Sequence, residues 1–249
     1  MLPARQWAYA EEVARRLGGI LGDELLAAYV IGSGALGDWI AGRSDIDVLA
    51  IAEHPLAAGG HEAVVAAVGH RALPCPARAL ELVVYARAAV VAPRRGAAFE
   101  LNLNTGATIA DHVSADPAAE AAHWFVLDLA AAREHARPLA GPPARELIGP
   151  VPEPELRRAL LDAVRWHAAH EPAGANTVLN ACRAWRRMTA GDWVTKGQAG
   201  RWAIEQGADL PLLTSALALH EGAAGALDRA AVGAFLRDVA AQVGATPAA

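Results

Sequence analysis

"IGSGALGDWIAGRSDIDVLAI", Ile31 to Ile51, places a Gly-Ser-Gly turn after one apolar run and two aspartates, one residue apart, at the start of another. Three chemistries compete for this pattern: a surface hairpin, a lone metal site, and a site that holds a nucleoside triphosphate by its phosphates. "LLAAYVIG" before the turn reads as a buried strand ending at Gly32, and "DIDVLAIA" as a second strand, with a short helix or turn between them. A strand that ends in Gly-Ser and turns into a short helix presents unpaired backbone N–H groups and a hydroxyl, which suits a phosphate. Asp45 and Asp47 stand at i and i+2, so on a strand both carboxylates project from one face. With a triphosphate they can complete the oxygen shells of one or two Mg²⁺. Singly, Gly-Ser and Ser-Asp are ordinary turn chemistry. The spacing of 12 residues from Ser33 to Asp45, with each motif attached to its own strand, makes the combination specific.

On the N-terminal side, residues 3–17 carry apolar positions at helical spacing, and Gly18-Gly19 should stop that helix. On the C-terminal side, residues 61–70 look helical and "ALELVVYARAAVV" is apolar and β-branched enough for a third strand, from Ala79 to about Val91. Glu81 is an isolated acid in that run; an apolar setting would raise its pKa and suit it to accept a proton. "FELNLNT" alternates strictly, with Phe99, Leu101 and Leu103 facing one way and Glu100, Asn102 and Asn104 the other, which predicts a strand with one solvated face. A further amphipathic helix covers residues 117–136. Six prolines and two glycines between Pro138 and Pro154 mark a boundary, placed between residues 150 and 151. Beyond it the segments 155–170, 174–190, 195–206, 211–221 and 226–243 are all helical in pattern. The outline is an α/β domain, residues 1–150, followed by a helical bundle, residues 151–249.

Composition narrows the function classes. A 54% hydrophobic chain of 249 residues with net charge −5 can bury a good core and is a poor candidate for gripping a nucleic-acid backbone. Cys75 and Cys182 lie far apart without a zinc-ligand spacing. The first residues mix charge into a helical period, unlike a signal peptide, and no uncharged apolar run is long enough to span a bilayer, so a cytoplasmic protein is expected. Lys196 is the single lysine among 22 basic residues, which marks it as a cation needed in compact form, for example on a triphosphate.

The Gly-Ser followed by Asp-x-Asp resembles the signature of the nucleotidyltransferase superfamily typified by DNA polymerase β; no GK[ST] follows the glycines, so it is not a Walker loop. The segment "TVLNACRAWRRMTAGDWVTKGQAGRWAIEQ" is similar to the C-terminal domain of the aminoglycoside adenylyltransferases that modify streptomycin and spectinomycin, carried by Trp185, Gly191, Lys196, Ala199 and Trp202. The resemblance extends through "GSGALGDWIAGRSDIDVL", "ALELVVYAR" and "AREHARPLAGPPARELIGPVPEPEL", in the same order. It implies an α+β chain: a polymerase β-like nucleotidyltransferase domain with a mixed sheet, then an all-α bundle. Such an enzyme binds Mg-ATP between its domains and moves AMP to a drug hydroxyl, conferring resistance. Carried over by residue, Gly32, Ser33 and Ser44 would touch the phosphates, Asp45 and Asp47 would hold two Mg²⁺, Glu81 would be the base, and Arg183 and Lys196 would bind ATP.

Two departures bear on the acceptor. Where that family packs a tryptophan on streptomycin this chain has Leu101, and where it places acids before the arginine helix the chain reads "HEPAGANTV". A drug ammonium or guanidinium would lose charge-assisted partners there, which favours spectinomycin over streptomycin. Glu100, Leu101, Asn102 and Asn104 are the expected substrate-facing residues, in a protein that works as a monomer or weak dimer without nucleic acid or membrane. The competing classes are a nucleotidyltransferase acting on another hydroxyl, in a protein or a metabolite, and a nucleotide-binding module whose catalysis has lapsed.

Overall fold

A computed structural model of the chain describes residues 1–94 and 98–245; residues 95–97 and 246–249, each within one of the two expected domains, lie outside that description. The chain divides into two compact units, Met1–Pro152 and Glu153–Ala249.

The first unit is built on a six-stranded sheet in the order β5-β4-β3-β2-β1-β6. In chain order it contains α1 (Ala4–Leu21), β1 (Leu25–Val30), α2 (Gly32–Leu36), β2 (Ile46–Ala52), α3 (Gly60–Val68), β3 (Leu80–Ala86), α4 (Arg87–Val91), β4 (Leu101–Thr105), β5 (His112–Ser114), α5 (Ala122–His135), β6 (Arg137–Ala140) and α6 (Ala144–Leu147). Strands β2 and β3 run parallel and every other neighbouring pair is antiparallel, so the sheet is mixed. Alternation along the strands sends Ile46, Val48, Leu80, Leu82, Leu101 and Leu103 to one face, where they pack with Val13 and Leu17 of α1 and Val64 and Val68 of α3. Each such side chain contributes roughly 1.5–3 kcal/mol relative to exposure.

Several boundaries differ from expectation. Helix α1 runs through Gly18-Gly19 and ends at Gly22. The extra turn packs Ile20 against the core, which offsets a helix penalty of about 1 kcal/mol per glycine. Strand β3 ends at Ala86, where its register with β2 ends at Ala52. The run beyond loses its ladder partner and satisfies its own backbone as α4. The helix expected over 117–136 is a 3₁₀ turn at Pro117–Ala119 followed by α5. Strand β6 was hidden in the proline-rich stretch: it is an edge strand pairing Pro138 with Tyr29 of β1, a place where a missing N–H is tolerated. The solvated face expected for "FELNLNT" is corrected as well, because Asn102 is only 7% exposed, set between Val83 of β3 and Ser114 of β5.

The second unit is all helical: α7 (Glu153–His170), α8 (Ala175–Ala190), α9 (Lys196–Glu205), α10 (Leu210–Glu221) and α11 (Arg229–Ala245). Helix α8 is its centre and touches the other four. It buries Val178, Ala181 and Cys182 at i, i+3 and i+4. Gly191 in the left-handed conformation ends α8, and a capping box of Thr195 and Gln198 starts α9. Among the described residues no helix is long and apolar enough to cross a membrane.

Candidate active site

The sheet face opposite α1 and α3 carries the acids. Asp47 is the second residue of β2 and Glu81 the second of β3, and the parallel register sets them side by side. Antiparallel pairing continues the row from Glu81 to Asn104 on β4 and from Asn104 to His112 on β5. Paired residues share a face with Cβ atoms about 5 Å apart, so Asp47, Glu81, Asn104 and His112 form one polar row. His112 Nε2 lies 2.6 Å from the Glu120 carboxylate.

The Gly-Ser turn closes over the Asp47 end of this row. Ile31 N–H donates to the Asp47 carbonyl at 3.0 Å, and Gly32 has φ +58. A Cβ on Gly32 would stand 2.2 Å from Asp47 Oδ2, so only glycine lets the backbone lie against that carboxylate. Helix α2 starts there, and the N–H groups of its first turn have no partner within the helix. Ser33 is half-buried beside them.

Asp45 precedes β2 rather than lying on it, because the ladder begins at Ile46, whose N–H donates to the Ala79 carbonyl. Its side chain is 12% exposed and takes both guanidinium arms of Arg78, with Arg78 Nε at 2.9 Å from Oδ1 and Nη2 on Oδ2. Glu81 is pushed up to about 8 from 4.5 by burial, then by the charges of Asp47 and Asp45 and a hydrogen bond with Asp45, while Arg78 pulls it down. The three acids thus crowd negative charge into one corner, offset on one side by Arg78.

Among the described residues no three His, Cys, Asp or Glu side chains are arranged as a metal cage. Mg²⁺ does not require one, since it is commonly bound by one or two carboxylates plus substrate phosphates. The hard oxygen donors of Asp45 and Asp47, and the excess negative charge that Glu81 registers, fit that mode.

Other expected residues lie elsewhere. The Ser44 hydroxyl accepts the Ile40 N–H at 3.0 Å and holds the turn ahead of β2. The Glu100 carboxylate accepts the Leu56 N–H at 3.1 Å, tying down the segment before α3. Leu101 is 0% exposed in the core with α1 and α3, so the expected substrate contact is corrected: it faces away from the acids. Asn102 stands one row further along, opposite Val83. Arg78 and His112 were passed over in the sequence, where nothing distinguishes Arg78 from the other arginines.

In the helical unit, Arg183 is half-buried on α8. Lys196 opens α9 and donates from Nζ to Asn176 Oδ1 at 3.0 Å, near the start of α8. Asn180 lies 3.0 Å from His167 Nε2, and His167 Nδ1 lies 3.1 Å from the Glu171 carboxylate. An amide donating to Nε2 puts the imidazole proton on Nδ1, where it donates to Glu171. Burial lowers the pKa of His167, more than the Glu171 charge raises it. Arg186 grips Asp192 with two bonds of 3.0 and 2.8 Å, and Trp185 meets Trp202 edge-on at 4.9 Å.

Residues 146–242 match the model of the aminoglycoside adenylyltransferase C-terminal domain. The helical unit is thus similar to the C-terminal domain of those enzymes. The matched residues include Arg183, Lys196, Trp185 and Trp202. Curated relatives named aminoglycoside (3'') (9) adenylyltransferase, from Klebsiella pneumoniae, Shigella flexneri and Escherichia coli, are each 40% identical over 81 residues, 31% of this chain. The matched stretch spans about a third, 31%, of the length of those relatives. The solved structure of spectinomycin adenyltransferase AAD(9) from Enterococcus faecialis, with ATP and spectinomycin, covers 96% of this chain and 99% of its own at TM-score 0.74 and 18% identity. The fold of that structure is therefore shared along nearly the whole chain.

Proposed function

We propose that the chain is an adenylyltransferase that moves AMP from ATP to a hydroxyl of an aminocyclitol antibiotic, with release of pyrophosphate and resistance as the outcome. The observation that carries this is the side-by-side pairing of Asp47 with Glu81 across β2 and β3, closed by the Gly32 turn, in a chain whose helical unit is similar to the C-terminal domain of drug adenylyltransferases. Bound at Asp45 and Asp47, Mg²⁺ supplies charge neutralisation for the triphosphate and the departing pyrophosphate. The N–H groups of Gly32 and Ser33 meet phosphate oxygens, Ser44 holds the turn ahead of β2, and Arg183 and Lys196 are the nucleotide-binding cations of the helical unit. Glu81 takes the proton of the attacking hydroxyl as its oxygen bonds the α-phosphorus in line with the breaking bond to pyrophosphate.

The acceptor is of the spectinomycin type rather than streptomycin. Of the carboxylates flanking α8, Glu171 ahead of it faces His167 and Asp192 beyond its end is held by Arg186, which leaves a weak welcome for a guanidinium-rich drug. Asn104, paired with Glu81, holds the acceptor by hydrogen bonds in this reading, with Asn102 and Glu100 supporting its strand. The protein acts in the cytoplasm as a monomer or weak dimer, and needs no nucleic acid or membrane.

The test is pyrophosphate release with Mg²⁺, ATP and spectinomycin, compared between the wild type and Asp47→Asn. Spectinomycin-dependent release that falls at least about a hundredfold in a folded variant supports the reading. Equal release by both proteins would remove Asp47 from the chemistry.

A further inference from the structure

Arg78 sits just ahead of β3 and engages Asp45 with two arms of its guanidinium. Asp45 is 12% exposed whereas Arg78 is 49% exposed, so the carboxylate is enclosed and the cation approaches it from the solvent side. The same Arg78 charge also acts on Glu81 and Asp47. A planar fork that takes one lone pair on each oxygen of a carboxylate, and sets a cation beside it, competes with a metal ion for that group.

We propose that Arg78 is a resident counter-cation: it holds Asp45 in the absence of a divalent ion and swings out to release the carboxylate when Mg²⁺ arrives with the triphosphate. This rests on the reading of Asp45 and Asp47 as the metal-binding pair. Arg78 then does two things that a structural arginine would not. It keeps the three acids tolerable before substrate binds, and it weakens binding of free divalent ion, so that the metal enters with nucleotide phosphates rather than alone. The swing is open to it because half of its side chain is in solvent.

The experiment titrates Mn²⁺ into the full-length chain without nucleotide, following free Mn²⁺ by electron paramagnetic resonance, for the wild type, Arg78→Gln and Arg78→Lys. Removing the competing fork should tighten Mn²⁺ binding roughly five- to tenfold in Arg78→Gln, with Arg78→Lys between the two because an ammonium cannot match both oxygens. Arg78→Gln should also gain more thermal stability from Mn²⁺ than the wild type does. In the wild type itself, the Arg78 Nε–H resonance, assigned by its loss in Arg78→Lys, should shift on addition of Mg-ATP; this keeps the test open even if Arg78→Gln folds poorly. Wild type that binds Mn²⁺ while the variants bind it equally or more weakly, or an Arg78 resonance unmoved by Mg-ATP, would overturn the counter-cation role. Failure of the wild type to bind Mn²⁺ even with ATP would instead overturn the metal-pair reading beneath it.

Discussion

Asp47 lies between the Gly32 backbone and Glu81, and Glu81 in turn leans on Asp45. Replacing Glu81 by Gln removes the proton acceptor and keeps the shape, so kcat should fall by about 10²–10⁴ with little change in ATP affinity; steady-state kinetics and a nucleotide-binding titration separate the two. The same residue sets a pH dependence. Its carboxyl is raised to about 8 in the fold from 4.5, so its contribution is fully present below the unfolded value and is lost as pH rises through about 8. In EDTA the wild type should lose thermal stability between about pH 4.5 and 8 more steeply than Glu81→Gln; parallel profiles would contradict the shift. Leu101 marks the opposite case. Buried with α1 and α3, Leu101→Ala should destabilise the protein by about 2–5 kcal/mol, read by denaturant titration, and leave acceptor KM unchanged in the surviving folded fraction. A selective rise in KM would put Leu101 back at the substrate.

At the scale of elements, the site depends on two strand ends and one turn. Gly32→Ala would drive a Cβ into the Asp47 carboxylate at a backbone angle that alanine disfavours. The expected cost is about 1–3 kcal/mol in stability, together with loss of activity, measured by thermal denaturation and turnover. The elements were unequally legible. Strands β1 and β2 announced themselves as apolar runs on either side of the Gly-Ser turn, and the five helices of the second unit by their 3.6-residue period. Strand β6 did not, because Pro138 and the surrounding prolines read as a linker, and only pairing with β1 makes an edge strand of it. Glycines at 18 and 19 looked like a stop because the gain from packing Ile20 is a tertiary effect. Within the site the acids were readable from spacing, but their partners were not. Arg78 reaches Asp45 across 33 positions of sequence, and the row from Asp47 to His112 exists only through strand register.

At the scale of the whole molecule, two units of different architecture carry different parts of the proposed reaction: the sheet unit the acids and the turn, the helical unit Arg183 and Lys196. The family match falls on the helical side, while the fold is shared along nearly the whole chain. The most direct measurement is mass spectrometry of the antibiotics after incubation with the full-length protein, Mg²⁺ and ATP, with spectinomycin and streptomycin in separate reactions. Adenylyl transfer to a spectinomycin-type acceptor should leave spectinomycin heavier by one AMP and streptomycin unmodified. Neither drug gaining AMP, from protein that still binds Mg-ATP, would contradict it.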